Sequence, residues 1–165
     1  MESRKIEIER IHVRSSRPFE AVVATLNAAI GHPNMAEFVK VIEEAGTFAE
    51  MENAVHRSLG KSELMLFLQL DLGAVPRKES GLDAPRIMRF LIGNPLIMKE
   101  MAKHVVDAAS YAPVTVLVYE RSDGVHLAYD RMASLLASYA NAKALAIARN
   151  LDAKIENLLR EAAGG

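Results

Sequence analysis

The chain has 165 residues, of which half are hydrophobic and a quarter are charged, and its 20 basic and 21 acidic residues leave a net charge of −1. This near-balance argues against a nucleic-acid-binding protein, which usually carries a basic surplus on one face. The sequence contains no cysteine, so disulfides, thiolate catalysis and cysteine-bound metal clusters are excluded. A chain of this length fits a single domain.

The hydropathy of the chain predicts a protein that does not associate with a membrane. Residues 1–7 carry charges without an apolar run behind them, so they do not resemble a signal peptide. No stretch approaches the roughly 18–20 apolar residues that a membrane-spanning helix needs. The predicted C-terminal helix mixes basic and acidic residues on its polar face and lacks the basic excess expected at anionic lipid. We therefore expect a cytoplasmic protein.

The N-terminal region predicts a strand followed by a helix. Four apolar residues recur in a partial two-residue period with charges between them: Ile6, Ile8, Ile11 and Val13. This pattern predicts a strand with one face in water. Pro18 then suits the first turn of a helix, and apolar residues recur at helical spacing as far as Gly31.

Capping residues predict two further helices. Asn34 can cap a helix that runs to Gly46. Thr47 followed by Glu50 has the spacing of a capping box and opens a third helix, which Gly60 closes.

The middle of the chain predicts two strands separated by a loop. Leu64–Leu70 is almost continuously apolar and is bounded by Gly60 and Gly73. A short run of this kind predicts a central strand that is covered on both faces. Residues 73–84 contain glycine, proline and several charged residues, which are typical of an exposed loop. A second strand is expected at Ile87–Ile92.

The second half of the chain predicts a helix, a hairpin and a long final helix. The first helix is expected from Pro95 to about Ala109, and a strand follows at Val114–Tyr119. The triplet Ser122-Asp123-Gly124 predicts a tight turn, from which a strand returns over Val125–Tyr129. The region from Met132 to Ala162 is rich in alanine, leucine, lysine and glutamate and predicts an amphipathic helix.

Together these elements predict an α+β domain with a central, mostly antiparallel sheet of about four or five strands packed against helices. The final helix carries an apolar stripe formed by Ile147, Leu151, Ile155 and Leu158. This stripe is longer than the end of a small sheet usually covers. The stripe can pack on the sheet of its own chain or against the same helix of a second copy, and its length favours the second arrangement, a homodimer.

From residue 64 onward, the order of landmarks resembles the domain-of-unknown-function family 302. The matching segments are Leu70-Asp71-Leu72, Pro85, Ile92-Gly93-Asn94-Pro95, Ala112-Pro113, Val116 to Glu120, Gly124 and Tyr129-Asp130. The resemblance implies an α+β domain that forms homodimers and has no established activity. The family commonly has histidine where this chain has Leu72, so a metal, haem or acid–base role for that histidine does not carry over.

Asp71 and the triplet Gly93-Asn94-Pro95 are candidate ligand-binding residues, and each also has a structural explanation. Asp71 ends an apolar strand, where it is either a polar anchor in a cleft or a partner of the amides in the turn at Gly73. In the triplet, glycine permits a sharp turn, asparagine caps a helix and proline suits its first position. The alternative is that the amides of this helix N-terminus hold an anion.

The remaining patterns give no metal, cofactor or nucleotide site. Glu52/His56 and Glu100/His104 each share a helix face, but one pair supplies two ligands and zinc needs three or four. The glycine-rich motifs that bind nucleotides are absent. Four basic residues, Arg77, Lys78, Arg86 and Arg89, are interpreted as a solvated loop. Four methionines are interpreted as core residues, with an apolar ligand pocket as the alternative: Met65, Met88, Met98 and Met101.

The sequence therefore favours a non-enzymatic, homodimeric domain that binds a small molecule or another protein, without a cofactor. The alternative is an enzyme whose cleft gathers Asp71 and Asn94 with Tyr119 or Tyr129 beside the helix that starts at Pro95. A deep cleft at Asp71 would favour the enzyme, and a shallow surface there would favour the binding domain.

Overall fold

A single antiparallel sheet of five strands organises the chain. The computed structural model describes residues 1, 3–81 and 84–165. The strands are β1 (Arg10–Ser15), β2 (Met65–Asp71), β3 (Ile87–Gly93), β4 (Val114–Arg121) and β5 (Gly124–Asp130). Their order across the sheet is β1-β5-β4-β3-β2, and every neighbouring pair is antiparallel. The predicted α+β class and antiparallel sheet are confirmed.

Seven α-helices and one 3₁₀ helix are found in the described residues. The α-helices are α1 (Phe19–Ala29), α2 (Met35–Glu44), α3 (Phe48–Ser58), α4 (Ala74–Ser80), α5 (Pro95–Ala102), α6 (Met132–Ala137) and α7 (Ala142–Ala163). The 3₁₀ helix is Val106–Tyr111. The predicted caps are present: the side chain of Asn34 accepts the amides of Ala36 and Glu37, and Thr47 and Glu50 form a complete capping box.

The two faces of the sheet differ because side chains alternate along each strand. On β4, Val114, Val116 and Val118 are buried, whereas the residues between them are partly exposed. Val116 lines one small void together with Leu26 of α1 and Leu158 of α7, so this face is covered by those helices. We call it the helix-covered face, and we call the opposite side, which carries Thr115, Leu117 and Tyr119, the open face.

The final helix packs within its own chain. In α7, the apolar stripe residues Leu151, Ile155 and Leu158 are almost completely buried in the core that α1 and the sheet complete. Burial of these side chains lowers the free energy of the fold by about 1.5–3 kcal/mol each. These three side chains are therefore not available to a second copy, whereas Ile147 of the same stripe is only partly buried, and the homodimer stays a prediction.

The strand at Met65–Asp71 is confirmed, but its predicted central position is wrong. β2 forms one edge of the sheet, and its other side carries only the bridge from Met65 to Gly31 among the residues described. Leu68 is accordingly 44% exposed. The residues of β2 are apolar because one face of the strand packs against helices and the other continues the leucine-rich open face. An apolar run of this kind occurs in central strands and in edge strands alike, so it does not distinguish them.

Several predicted boundaries also differ from the structure. The expected loop at 73–84 contains α4, which Gly81 ends with a φ of 90°. The helix predicted over 95–109 stops at Ala102, and the 3₁₀ helix begins only at Val106, after an extended Val105. The long final helix is interrupted between α6 and α7, where Ala140 has a φ of 52°. The first strand begins at Arg10, so Ile6 and Ile8 lie before it.

Candidate ligand-binding groove

The open face carries transverse rows of side chains, because cross-strand partners stand opposite each other. One row crosses the whole sheet and consists of His12, Ala128, Leu117, Arg89 and Leu70. The next row consists of Arg10, Asp130, Thr115, Leu91 and Leu68. The β1 side of this face is therefore polar, the β2 side is apolar, and Arg89 stands among leucines.

A groove lies on this face between the sheet and the chain that borders it. Its floor includes Arg89, Leu91, Thr115, Leu117 and Ala128, and its walls come from residues 110–113 and from α6. Its volume is about 520 Å³. Small-molecule sites in proteins commonly measure about 300–1,000 Å³ and combine an apolar lining with a few polar groups. The groove has this composition.

Arg89 is the least satisfied charged residue of the groove. One Nη2 hydrogen bond, 3.1 Å long, goes to the Oγ1 of Thr115. The Nε–H is buried and has no hydrogen-bond partner, and none of the carboxylates in the described residues forms an ion pair with this guanidinium. A guanidinium has five N–H donors, and a buried donor without an acceptor is energetically costly. The groove therefore presents an unpaired positive charge.

The other charged residues of the groove neutralise each other. The Nε and Nη2 of Arg10 donate to the two carboxylate oxygens of Asp130 at 2.6 and 2.8 Å. These hydrogen bonds hold the pKa of Asp130 below its usual range, so the carboxylate stays ionised at neutral pH. Because the pair is bidentate and its net charge is zero, Arg89 alone determines the sign of the charge in the groove.

A second polar cluster lies on the open face towards the β4–β5 turn. Tyr119 stacks on its cross-strand partner His126, with 5.5 Å between the ring centroids. The Nε2 of His126 lies 2.8 Å from the Oδ1 of Asp123, and this contact lowers the pKa of Asp123. The hydroxyl of Tyr119 lies 3.4 Å from the Nδ1 of His12. Tyr119 is thus on the open face, but outside the groove.

Asp71 lies in a different cleft, on the helix-covered side of the sheet. Its exposed carboxylate forms an ion pair with Arg77 of α4. This cleft is lined by Phe19 and Asn27 of α1, and the buried Oδ1 of Asn27 has no hydrogen-bond partner in the part of the chain that the structure describes. The carboxylate is therefore neither a partner of the local turn amides nor a member of the groove.

The triplet Gly93-Asn94-Pro95 is far from Asp71. Asp71 pairs with Met88 at one end of the β2–β3 ladder, and Gly93 pairs with Met65 at the other. Five residues of strand correspond to about 17 Å. Asn94 caps α5 by accepting the amide of Leu96 at 2.9 Å and donating to the carbonyl of Glu63 at 3.0 Å. The structural explanation of this triplet is thus present, and Asp71 and Asn94 do not share one cleft.

The side chain of Tyr129 lies in the core, although the residue also borders the groove. Its side chain is on the helix-covered face and is 1% exposed. The hydroxyl donates to the Oδ1 of Asp152 at 2.6 Å. The six candidate residues therefore fall into four separate places: the Asp71 cleft, the start of α5, the open face at Tyr119 and the core at Tyr129.

Arg89 is not among the candidate site residues predicted from the sequence. Arg77, Lys78, Arg86 and Arg89 were expected to share a solvated loop, but Arg89 lies within β3 and Arg77 lies in α4. Arg86 forms ion pairs with Glu20 and Glu120. A signal was available, since Arg89 is the single charged residue inside the predicted strand Ile87–Ile92. A charge at that position must reach either solvent or a ligand.

Two features are absent from the described residues. The described residues contain no group of three or more histidine or acidic side chains placed to hold a metal ion. Among the same residues, no helix has both the length and the apolar character needed to cross a lipid bilayer.

Comparison with known proteins agrees with this fold. The family model described as "Domain of unknown function DUF302" matches residues 39–162, more than half of the chain. The crystal structure of an uncharacterized conserved DUF302 protein from Bacillus stearothermophilus is similar, with a TM-score of 0.63 and 9% sequence identity. This similarity covers 93% of this chain and 97% of that one, and it supports the fold alone. Among curated proteins, no sequence matches this chain. The chain therefore belongs to the DUF302 family, as its sequence landmarks predicted.

Proposed function

We propose that this domain binds a small carboxylate in the open-face groove, with Arg89 as the anion-binding residue. The guanidinium of Arg89 carries the proposal, because it lines the groove and has no carboxylate partner among the described residues. A carboxylate oxygen is a strong acceptor for guanidinium N–H groups, and guanidinium–carboxylate hydrogen bonds are among the strongest in proteins. Leu91, Leu117 and Ala128 supply the apolar surface on which the rest of the ligand rests.

The surroundings of Arg89 support an anion rather than a cation or a neutral molecule. Its guanidinium has only Thr115 as a side-chain partner among the described residues, and Thr115 is uncharged. Asp130 lines the same groove, but it is already paired with Arg10. An anion that enters the groove therefore forms a charged hydrogen bond with Arg89 and does not have to displace a carboxylate from it.

Calorimetry and NMR titration with butyrate test this function. We expect butyrate to bind the wild-type protein and 1-butanol to bind far more weakly, because the alcohol carries no charge. A hydrogen bond to a charged group contributes about 1.5–3 kcal/mol, so Arg89→Met is expected to weaken butyrate binding roughly tenfold to a hundredfold. Arg14→Met, which removes an exposed arginine from the same face outside the groove, is the matched control.

Two outcomes would contradict the proposal. Butyrate binding that is equally weakened by the Arg14 and Arg89 variants would indicate non-specific attraction to a basic surface. Amide shifts confined to the Asp71 cleft, with none at Leu91 or Leu117, would place the anion elsewhere.

The binding function is proposed without catalysis. The enzyme considered from the sequence needs Asp71 and Asn94 in one cleft, and these residues stand at opposite ends of the β2–β3 ladder. Asn94 also uses its side chain to cap α5. The cytoplasmic location expected from the sequence remains part of this proposal.

We also infer that two copies pair through the edge strand β2. This strand has no charged residue from Met65 to Leu70 and exposes Leu68, whereas edge strands of monomers are usually protected by lysine or proline. An uncharged strand can pair with its own copy across a twofold axis without opposing like charges.

Light scattering after size-exclusion chromatography tests this dimer. We expect a dimer at micromolar concentration for the wild-type protein and a monomer for Leu68→Lys. Val106→Lys introduces the same charge at an exposed apolar residue of the 3₁₀ helix and is expected to remain a dimer. A monomeric wild-type protein would refute the pairing.

A further inference from the structure

We propose that the carboxylate ligand is a medium-length alkanoate whose hydrocarbon tail enters a second, methionine-lined pocket beside Gly93. This inference rests on the proposed function, because it takes the carboxylate at Arg89 as the starting point. It adds the chemical class of the ligand and names the residue that limits its length.

The tail pocket is small and almost entirely apolar. Its lining includes Phe67, Met98, Met101 and Leu151, together with Gly93, and its volume is about 100 Å³. Asn94 also lines it, but the side-chain amide of Asn94 is already bonded to the Leu96 amide and the Glu63 carbonyl. The pocket therefore offers contacts to a hydrocarbon and no free side-chain hydrogen-bonding group among these residues.

The tail pocket adjoins the groove. The segment Ala112–Val114 lines both of them. Arg89, Leu91 and Gly93 alternate along β3 and so stand on the same face of the sheet; the first two line the groove and the third lines the pocket. Four residues of strand separate Arg89 from Gly93 by about 13 Å. A ligand that reaches both must have a charged head and an extended apolar tail.

The methionines suit a flexible alkyl chain. Met98 and Met101 project from α5 into the pocket, and methionine adapts its shape to irregular apolar groups. Each methylene that leaves water for an apolar site strengthens binding about fourfold. Affinity should therefore rise with chain length until the pocket is full.

Gly93 keeps the tail pocket open. A β-carbon built on Gly93 would lie 3.6 Å from the Cα and Cβ of Pro113 and 3.7 Å from the ring of Phe67. These are ordinary van der Waals distances, so alanine fits here without displacing a neighbour. The added methyl group would instead occupy space that the pocket now offers to a ligand. Gly93→Ala therefore fills part of the pocket while the surrounding residues keep their positions.

The experiment compares butyrate, hexanoate and octanoate below their aggregation limits by isothermal titration calorimetry. For the wild-type protein we expect the affinity to rise severalfold from each alkanoate to the next. In Gly93→Ala, the ratio of octanoate affinity to butyrate affinity should fall at least tenfold. Gly46→Ala, at an exposed glycine between α2 and α3, is the matched control and should keep the wild-type ratio.

A second measurement locates the tail directly. Methyl resonances of Met98 and Met101 should shift with octanoate and remain in place with butyrate. Thermal unfolding of the glycine variants verifies that each is folded before binding is compared.

The outcomes separate this inference from the proposed function. If butyrate binds through Arg89 but octanoate binds no more tightly and leaves the two methionine methyls unshifted, the tail pocket is refuted and the carboxylate site stands. If the Gly93 and Gly46 variants show the same ratio, Gly93 does not limit the ligand. If no alkanoate binds to the wild-type protein, both proposals fail.

Discussion

The hydroxyl of Tyr129 on β5 donates a 2.6 Å hydrogen bond to the Oδ1 of Asp152 on α7. The same carboxylate accepts the amides of Met132 and Ala133, the first two residues of α6, at 2.8 and 3.0 Å. Asp152 is 4% exposed. Burial raises the pKa of Tyr129, so the hydroxyl remains protonated and continues to donate. One buried carboxylate in the middle of α7 thus joins that helix to β5 and to the start of α6.

This network predicts the effect of removing the hydroxyl. Tyr129→Phe is expected to lower the free energy of unfolding by about 1.5–3 kcal/mol, because it removes a donor to a charged group. Asp152→Ala should lower the free energy of unfolding further, since it leaves the Tyr129 hydroxyl and two backbone amides without their acceptor. Urea denaturation measures both values. Tyr139→Phe, which breaks a neutral hydroxyl pair with Tyr111, is the control and should cost about 0.5–1.5 kcal/mol. A Tyr129 variant as stable as the Tyr139 variant would contradict this account.

The pair of Arg10 and Asp130 predicts a pH dependence. Because Arg10 holds the folded-state pKa of Asp130 below its unfolded value of about 3.9, the pair stabilises the fold above that pH. The contribution is lost as pH falls through the folded-state pKa. Arg10→Gln should raise the pKa of Asp130, which NMR of the side-chain carboxyl carbon measures directly. Both side chains are partly exposed, so the stability difference at neutral pH should stay within about 0–1 kcal/mol.

A suitable control for this titration is Lys40→Gln, which removes an exposed lysine near Glu44 on α2. It should leave the pKa of Asp130 unchanged. An Asp130 that titrates identically in the wild-type protein and the Arg10 variant would show that the pair is absent in solution.

Arg89 is expected to lower the stability of the ligand-free protein. Its buried Nε–H has no acceptor in the described residues, so Arg89→Leu removes a desolvated donor and extends the surface of Leu91 and Leu117. We expect the variant to unfold at the same temperature as the wild-type protein or a higher one, while it loses butyrate binding. Arg131→Leu, which breaks ion pairs to Glu9 and Glu156, should lower the melting temperature instead. A strongly destabilised Arg89 variant would assign this residue a structural role.

The close approach of the segments that follow α1 and α3 predicts two intolerant glycines. A β-carbon on Gly31 would overlap the carbonyl oxygen of Ser58, and one on Gly60 would come within 2.5 Å of the carbonyl oxygen of Ala29. Backbone atoms cannot rotate away as side chains can, so Gly31→Ala and Gly60→Ala should each cost at least about 1–3 kcal/mol. Thermal denaturation against Gly46→Ala measures this difference. Equal melting temperatures for all three variants would refute the close approach.

Local features of the chain were predictable from sequence. The capping residues Asn34, Thr47 and Asn94 begin helices where their side chains predict them, because a cap depends on amides only two or three residues away. The strands of the β4–β5 hairpin and the turn at Gly124 were predicted for the same reason. Membership of the DUF302 family was predicted correctly as well.

The candidate site was predictable only in part. Gly93 lines the tail pocket, and Met98 and Met101 were recognised as possible pocket residues. Arg89 and Thr115 were not, because the cross-strand register that brings them within 3.1 Å is invisible in a single sequence.

The sequence by itself determined most of the strands and helices, although not α4 or the interruption between α6 and α7, since alternation, helical spacing and capping act over a few residues. Only the tertiary structure decided that β2 lies at the edge, that the stripe of α7 is buried within its own chain, and that Arg89 faces a groove. These outcomes depend on which strands pair, and strand pairing minimises the free energy of contacts between residues distant in sequence. A pattern of neighbouring residues carries little of that information.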